Sequence, residues 1–332
     1  MRHWWRRPDV LMVGATAPAY VATREALTVL SPQDLTSLRF LGAAAVLGLY
    51  LLVNRQRLRI TRRDVPRLLA AALCGYAGFG LLLSLGQSTV PAGTTSLLLN
   101  ISPVFAFILG YFVLVERTTT LGYIGMVVAV GGVVIVTFGD STATGFDENA
   151  LLIVGAALLL SVFLIVQQPL LARVPAVEIV FWSCAIGGIG ALPLATFDAD
   201  PAQVTTSFWM AIVVLVVLST VLANSMWNVT LKHSSVAEGG SLLLVVPIFS
   251  LLLGWLVLGE APSLAAIGGG AIALAGVVML SQATSRRKLA GPGLLTGAIP
   301  IIDVHPGLVP IVTMPLTLAD LPHFEMVSPD AD

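Results

Sequence analysis

Three charged side chains stand where the surrounding sequence carries almost none: Arg24 and Glu25 in APAYVATREALTVL, and Arg39 in TSLRFLGAAAVL. A charge inside an apolar span costs about 2.5–3.5 kcal/mol on insertion scales, so each needs a partner or a task. Adjacent residues on a helix point about 100° apart, so Arg24 and Glu25 do not neutralise each other. Two arrangements follow. In one, Glu25 pairs with Arg39 across a tight helical hairpin while Arg24 extends its head toward the interface. In the other, one of the arginines faces an internal cavity and holds a carboxylate of a bound molecule through paired N–H donors. A second charged group, Glu238 with Lys232 and His233, is either a surface ion pair or a gate or proton-coupling site. Tyr20, Tyr76, Ser96, Asn100, Gln167, Gln168, Trp227 and Asn228 are the uncharged polar candidates. Each either lines a pocket for a small molecule or forms an interhelical hydrogen bond, which is the better reading for Ser96.

These residues lie in elements written for lipid. Hydrophobic residues make up 57% of the 332 and charged ones 11%, against roughly 25% charged in an average soluble domain. Mean hydropathy is +0.94. Apolar windows of about 20 residues fall near 10–30, 35–53, 68–87, 95–115, 119–138, 150–168, 177–196, 207–230, 240–258 and 263–282. Backbone groups in lipid must bond internally, and these windows do not alternate as barrel strands do. The expectation is an all-α membrane protein of ten transmembrane helices. MRHWWRRPDVLMVGA opens like a signal peptide, but its apolar run is too long and has no cleavage-like stretch, so it reads as a retained first span.

Arginines cluster at the N-terminus, in NRQRLRITRRDVPR and at RRK after the tenth window. Basic short loops stay in the cytoplasm, which places both termini inside and Asp140, Asp147, Glu148, Asp198 and Asp200 outside. SPVFAFILGYFVLVE, ending at Glu116, is written again as VPIFSLLLGWLVLGE, ending at Glu260. Pro103 matches Pro247, Gly110 matches Gly254, and the register continues through Gly125 with Gly269 and Gly132 with Gly276. The chain therefore reads as a duplication: 1–9 as an N-terminal segment, 10–138 and 150–282 as two five-helix repeats, 139–149 as an external loop and 283–332 as a cytoplasmic tail. Five is odd, so the repeats are inverted, an architecture of secondary transporters with a site between the halves.

SPQDLTSLRFLGAAAVL, the long run from Thr94 to Val136, and MWNVTLKHSSVAEGGSLLLVVPIFSLLLGWLVLGE resemble the drug/metabolite transporter superfamily, specifically its EamA-type ten-helix permeases. The resemblance covers about residues 10 to 282. It implies movement of amino acids or other small metabolites, often outward, along a path lined by spans one, three, four, six, eight and nine. Family members often have a Trp-Gly pair in the first span, where this chain reads ATAPAYVATREA. Pro18 and Pro103 either break spans one and four beside the cavity, exposing carbonyls, or only kink them.

Other chemistries find little support. Cys74 and Cys184 lack CxxC spacing and read as packing residues. The glycine runs at Gly187–Gly190 and Gly268–Gly276 have no Walker lysine and read as close-packing surfaces. Small residues at Gly125/Ala129 and Gly269/Ala273 imply that spans five and ten pack alike or form a homodimer contact. His305 and His323 have no metal-ligand spacing, and no cofactor or nucleic-acid partner is implied; the partners are a small-molecule substrate and the lipid bilayer. A lipid-modifying enzyme would need convergent acids that the basic inner loops lack. A sensor that signals through the proline-rich tail is the alternative to a permease.

Overall fold

Ser31, Pro32 and their equivalents elsewhere decide where the helices begin. The structure, a computed structural model, describes residues 8–56, 58–114, 119–139, 148–227 and 245–289. These form α1 (Pro8–Ala26), α2 (Pro32–Val53), α3 (Val65–Gln87), α4 in two halves (Ala92–Leu99 and Ser102–Leu114), α5 (Thr120–Gly139), α6 (Asn149–Leu171), α7 (Ala176–Ala191), α8 (Thr206–Trp227), α9 (Val246–Leu258) and α10 (Leu264–Leu289). No strand occurs among the described residues. Ser31 accepts the Asp34 N–H at 3.1 Å and Pro32 follows in the first turn, where its missing N–H costs nothing. Thr205 caps α8 in the same way through the Phe208 N–H, at 3.3 Å. At the end of α9, Gly259 adopts φ 69°, a left-handed conformation glycine takes without penalty, and this reverses the chain just before Glu260.

Eight of these helices are long and apolar enough to cross a membrane. α1, which carries Asp9, Arg24 and Glu25, and α9, with 13 residues, do not reach that mark alone. Large apolar side chains point outward, among them Leu52, Val127 and Leu264, as expected where lipid is the solvent. Glu116, Asp140, Asp147, Asn228, Lys232, His233, Glu238 and the tail after Leu289 lie outside the described residues.

The interior is built from small residues and aromatics. α5 packs along α10 at backbone contact: a Cβ on Gly132 would collide with the Ala273 main chain, and one on Gly276 with that of Ala129. The small-residue stripes of these two helices, read from the sequence as packing alike or as a homodimer contact, face each other within the chain. Further neighbours are α2 with α7 and α8, α7 with α3, α1 with α8 and α9, α6 with α3 and α4, and α4 with α9. Cys184 is buried and Cys74 half-buried, both as free thiols.

Two buried carboxylates pin the α2/α7 pair from opposite ends. Asp34, at the start of α2, accepts the N–H groups of Thr196 and Phe197 beyond α7, at 2.8 and 2.9 Å. Glu178, at the start of α7, accepts those of Arg59 and Ile60 beyond α2, at 2.8 and 3.0 Å. The loops so held contain Phe197 (φ 55°) and Arg55 (φ 47°), conformations that cost non-glycine residues energy unless they are fixed from outside. Asp64, before α3, accepts from Thr61 Oγ1 and N at 2.7 and 3.1 Å and from Arg173 at 2.7 Å. These hydrogen bonds, the Thr61 hydroxyl first, hold its carboxyl below the usual carboxylate range.

Two helices depart from α geometry at matching depth. Residues 73–78 of α3 and 214–222 of α8 form wide i→i+5 turns. In α8 the Thr220 hydroxyl donates to the Leu215 carbonyl at 2.7 Å, bridging the widened turn. Such turns occur mostly at functional sites.

Candidate functional site

Side chains of α1, α2, α3, α4, α6, α8 and α9 line a cavity of about 180 Å³, the bulk volume of about six waters. The resemblance had named six of these elements; α2 joins them through Arg39 and Phe40. Apolar walls come from Phe40, Phe79, Leu83 and Phe163, and polar groups from Tyr20, Arg39, Tyr76, Asn100, Asn224 and Trp227. Mostly apolar walls with a few placed polar groups are the usual make-up of a small-molecule site.

Arg39 is the only charged group on that wall among the described residues. Its Nε donates to Thr220 Oγ1 at 2.9 Å, and its guanidinium carbon lies 5.4 Å from the centroid of the Phe40 ring. Because the Thr220 proton is committed to Leu215 O, the hydroxyl can only accept from Arg39, which fixes the direction of that bond. Phe40, Tyr76 and Phe163 continue edge to face, with centroids 5.1 and 5.5 Å apart, and stiffen the wall beneath the guanidinium. The Nη groups of Arg39 have no protein partner among the described residues, and no carboxylate pairs with it.

The break in α4 lies on the same wall. Asn100 N–H turns back to Leu97 O, Ile101 N–H to Leu98 O, and Asn100 Nδ2 to Ser96 O at 2.8 Å. In the α-helical register Leu99 O would take its bond from residue 103, but Pro103 has no N–H to give. Pro18 does not interrupt α1, which runs unbroken from Pro8 to Ala26; Ser219 donates to Ala15 O nearby, at 2.9 Å.

Arg24 lies away from the cavity wall and joins helix ends at one end of the bundle. Its Nε donates to Glu260 Oε1 at 3.0 Å, while Nη1 reaches Gln87 O at 2.9 Å and Ser88 O at 2.8 Å. Glu260 Oε2 accepts the Ala92 N–H at 2.8 Å. One ion pair therefore ties together the C-terminal ends of α1, α3 and α9 and the start of α4. This corrects the hairpin arrangement in which Glu25 holds Arg39 and Arg24 extends outward. Arg39 turns inward to Thr220, and Glu25 has no ion pair or side-chain hydrogen bond among the described residues. Ser96 is fully buried, with its hydroxyl on Gly93 O at 2.7 Å, and so acts in packing. Gln167 is fully buried off the cavity wall with both amide atoms unpartnered.

With this geometry in view, known proteins offer a direct comparison. The EamA-like transporter family model matches residues 10–138 and again 149–282. The chain belongs to the EamA-like transporter family. A probable terminal-alkyne amino-acid exporter of Streptantibioticus cattleyicolor is 31% identical over 86% of this chain and 96% of its own length. The pseudopaline exporter CntI of Pseudomonas aeruginosa is 27% identical over 73% and 84%, and the uncharacterized transporter YdfC of Bacillus subtilis 27% over 80% and 87%. A solved crystal structure shares the fold at TM-score 0.63, with 20% identity over 83% of this chain and 96% of that one. The EamA-like chain is thus a multi-pass membrane protein of a transporter family.

Several residues that build this EamA-like site escaped the sequence reading. Glu260 was visible only as the last letter of a repeated phrase; a carboxylate written at the end of both copies is itself a signal that the position has a partner. Asn224, Ser219 and Thr220 were hidden because nothing in LVVLSTVLANS announces a wide turn. Asp34 and Glu178 each stand within the first turn of a helix and soon after a proline, a placement that points to capping.

Proposed function

We propose that this protein is a permease of ten spans in two inverted five-helix repeats, moving a small organic metabolite, an amino acid or related compound, outward by alternating access. The observation that carries this reading is the cavity within the bundle with Arg39 on its wall, beside an Arg24–Glu260 pair at one end of the bundle. Support for the inverted duplication comes from the most extensive helix pairs, which are preserved when α1–α5 and α6–α10 are exchanged: α1/α8 becomes α6/α3, α1/α9 becomes α6/α4, and α2/α8 becomes α7/α3. The wide turns of α3 and α8 and the reciprocal Asp34 and Glu178 caps obey the same exchange. Two near-equivalent halves provide two near-equivalent packings, one open to each side. Both termini lie in the cytoplasm of a cell-membrane protein, with Glu260 at the outer face. The named exporters among the relatives favour the outward direction, and the amino-acid exporter among them favours a cargo with an amino-acid backbone.

The substrate contacts are Tyr20, Arg39, Tyr76, Asn100 and Trp227, and the Arg24–Glu260 pair is the outer gate. Proteoliposomes carrying the protein, tested with labelled amino acids, sugars and nucleosides, should move one class. That movement should fall at least tenfold in Asn100→Ala and Trp227→Ala while the folded yield is unchanged. Transport of no class by correctly folded protein would sink the proposal.

A further inference from the structure

A lone guanidinium facing a cavity in a lipid-embedded bundle is an unfinished interaction. Arg39 lines the cavity with its Nε committed to Thr220, its Nη groups have no protein partner among the described residues, and no acid stands on that wall among them. An unpaired charge in such a place is destabilising, and an anionic oxygen pair is what a guanidinium fork is shaped to accept. On the same cavity wall, Pro103 leaves the Leu99 carbonyl without its helical donor. An unserved carbonyl in a low-dielectric site is a strong acceptor for a cationic N–H. The cavity thus offers one receptor of each polarity and aromatic faces around them.

Resting on the permease reading above, we propose that Arg39 receives a free carboxylate of the cargo and that the Leu99 carbonyl, released by Pro103, receives its free ammonium group. The cargo is therefore a zwitterion rather than an amide, an ester or an N-acylated acid. Thr220 is a positioning residue: it holds Nε from behind so that the Nη edge stays turned to the cargo. Because the cargo completes the pairing of Arg39, the loaded protein is the electrostatically satisfied form and the empty one is not.

The test uses full-length protein in detergent micelles, unfolded thermally with each proteinogenic α-amino acid at millimolar concentration. The best stabiliser is then compared with its carboxamide and its N-acetyl derivative. The free acid is expected to raise Tm, with at least tenfold weaker binding for either derivative. Arg39→Gln is expected to abolish the shift and to leave the empty protein as stable as the parent or more so, because it removes an unpaired charge. A structural Arg39 would instead lower the empty protein's Tm on substitution, and that result overturns the assignment. Pro103→Ala restores an N–H for Leu99 O and is expected to keep the response to the acid while losing discrimination against the N-acetyl form. Should that variant not fold, equal binding of free and N-acetyl forms by the parent protein still overturns the Leu99 half. If no amino acid shifts Tm, the receptor assignment falls, while the permease reading is judged separately by the sugars and nucleosides of the vesicle assay.

Discussion

The Arg24–Glu260 pair allows the proposed outer gate to be weighed. Glu260→Gln keeps the side chain's size and its capacity to accept the Ala92 N–H, but removes the charge opposite Arg24. A hydrogen bond to a charged group contributes about 1.5–3 kcal/mol when shielded. Here the side chains are 27% and 17% exposed, so solvent screening reduces this to roughly 1–2 kcal/mol. At about 1.4 kcal/mol per factor of ten, the gate-open population should rise roughly 5- to 30-fold. Thr23 lines the cavity one residue before Arg24 and is only 2% exposed, so it can report that opening. In a background with Cys74 and Cys184 replaced by alanine, Thr23→Cys would be labelled with a membrane-impermeant maleimide added to intact cells. Labelling should accelerate by that factor in Glu260→Gln and by at least as much in Arg24→Gln, which also loses the bonds to Gln87 O and Ser88 O. The double variant should be no faster than Arg24→Gln, since that single change already removes the ion pair. An unchanged rate, or singles whose effects add, would refute the reasoning.

Other expectations follow from packing and from the loops. Gly276→Val should abolish folded protein, because its side chain would meet the Ala129 backbone, whereas Gly131→Ala, with open space around it, should be silent in size-exclusion yield. Removing Glu178 or Asp34 to alanine strips two backbone N–H groups of their acceptor in each case, at a cost of about 2–4 kcal/mol readable as a drop in Tm. The depressed carboxyl of Asp64 stabilises the fold above its unfolded value of about 3.9, and this is lost as pH falls through the lower folded value. The Tm advantage of the parent over Asp64→Asn should therefore be constant near neutrality and shrink below about pH 4.

What the sequence revealed and what it hid divide along the distance over which a signal is written. Helix positions were legible because hydropathy and punctuation are local: Ser31-Pro32 starts α2, and Gly259 ends α9. Pro103, which the sequence left as either a break or a kink, lies at a break, while the same residue type at position 18 sits within an unbroken helix. Pairings across the bundle were not legible. Arg24 finds its acid 236 positions away, and reasoning from nearby residues assigned the wrong carboxylate and the wrong arginine to the hairpin. Arg39 was recognised as needing a reason, but only the fold shows that its reason faces inward.

The wide turns in α3 and α8 carry a consequence for how this cavity can change. Each closes its hydrogen-bonded ring with one residue more than an α-helix uses, so part of the cavity's breadth is held in chain length rather than in side-chain size. Loss of a single residue from 214–222 would let the turn close at α-helical size and take the extra breadth out of the wall that carries Ser219, Ala223 and Asn224. Point substitutions can retune what the cavity accepts by small steps, whereas a one-codon deletion in either turn erases it at a stroke. An alignment that treats a gap there as harmless length variation would mistake the loss of the pocket for noise.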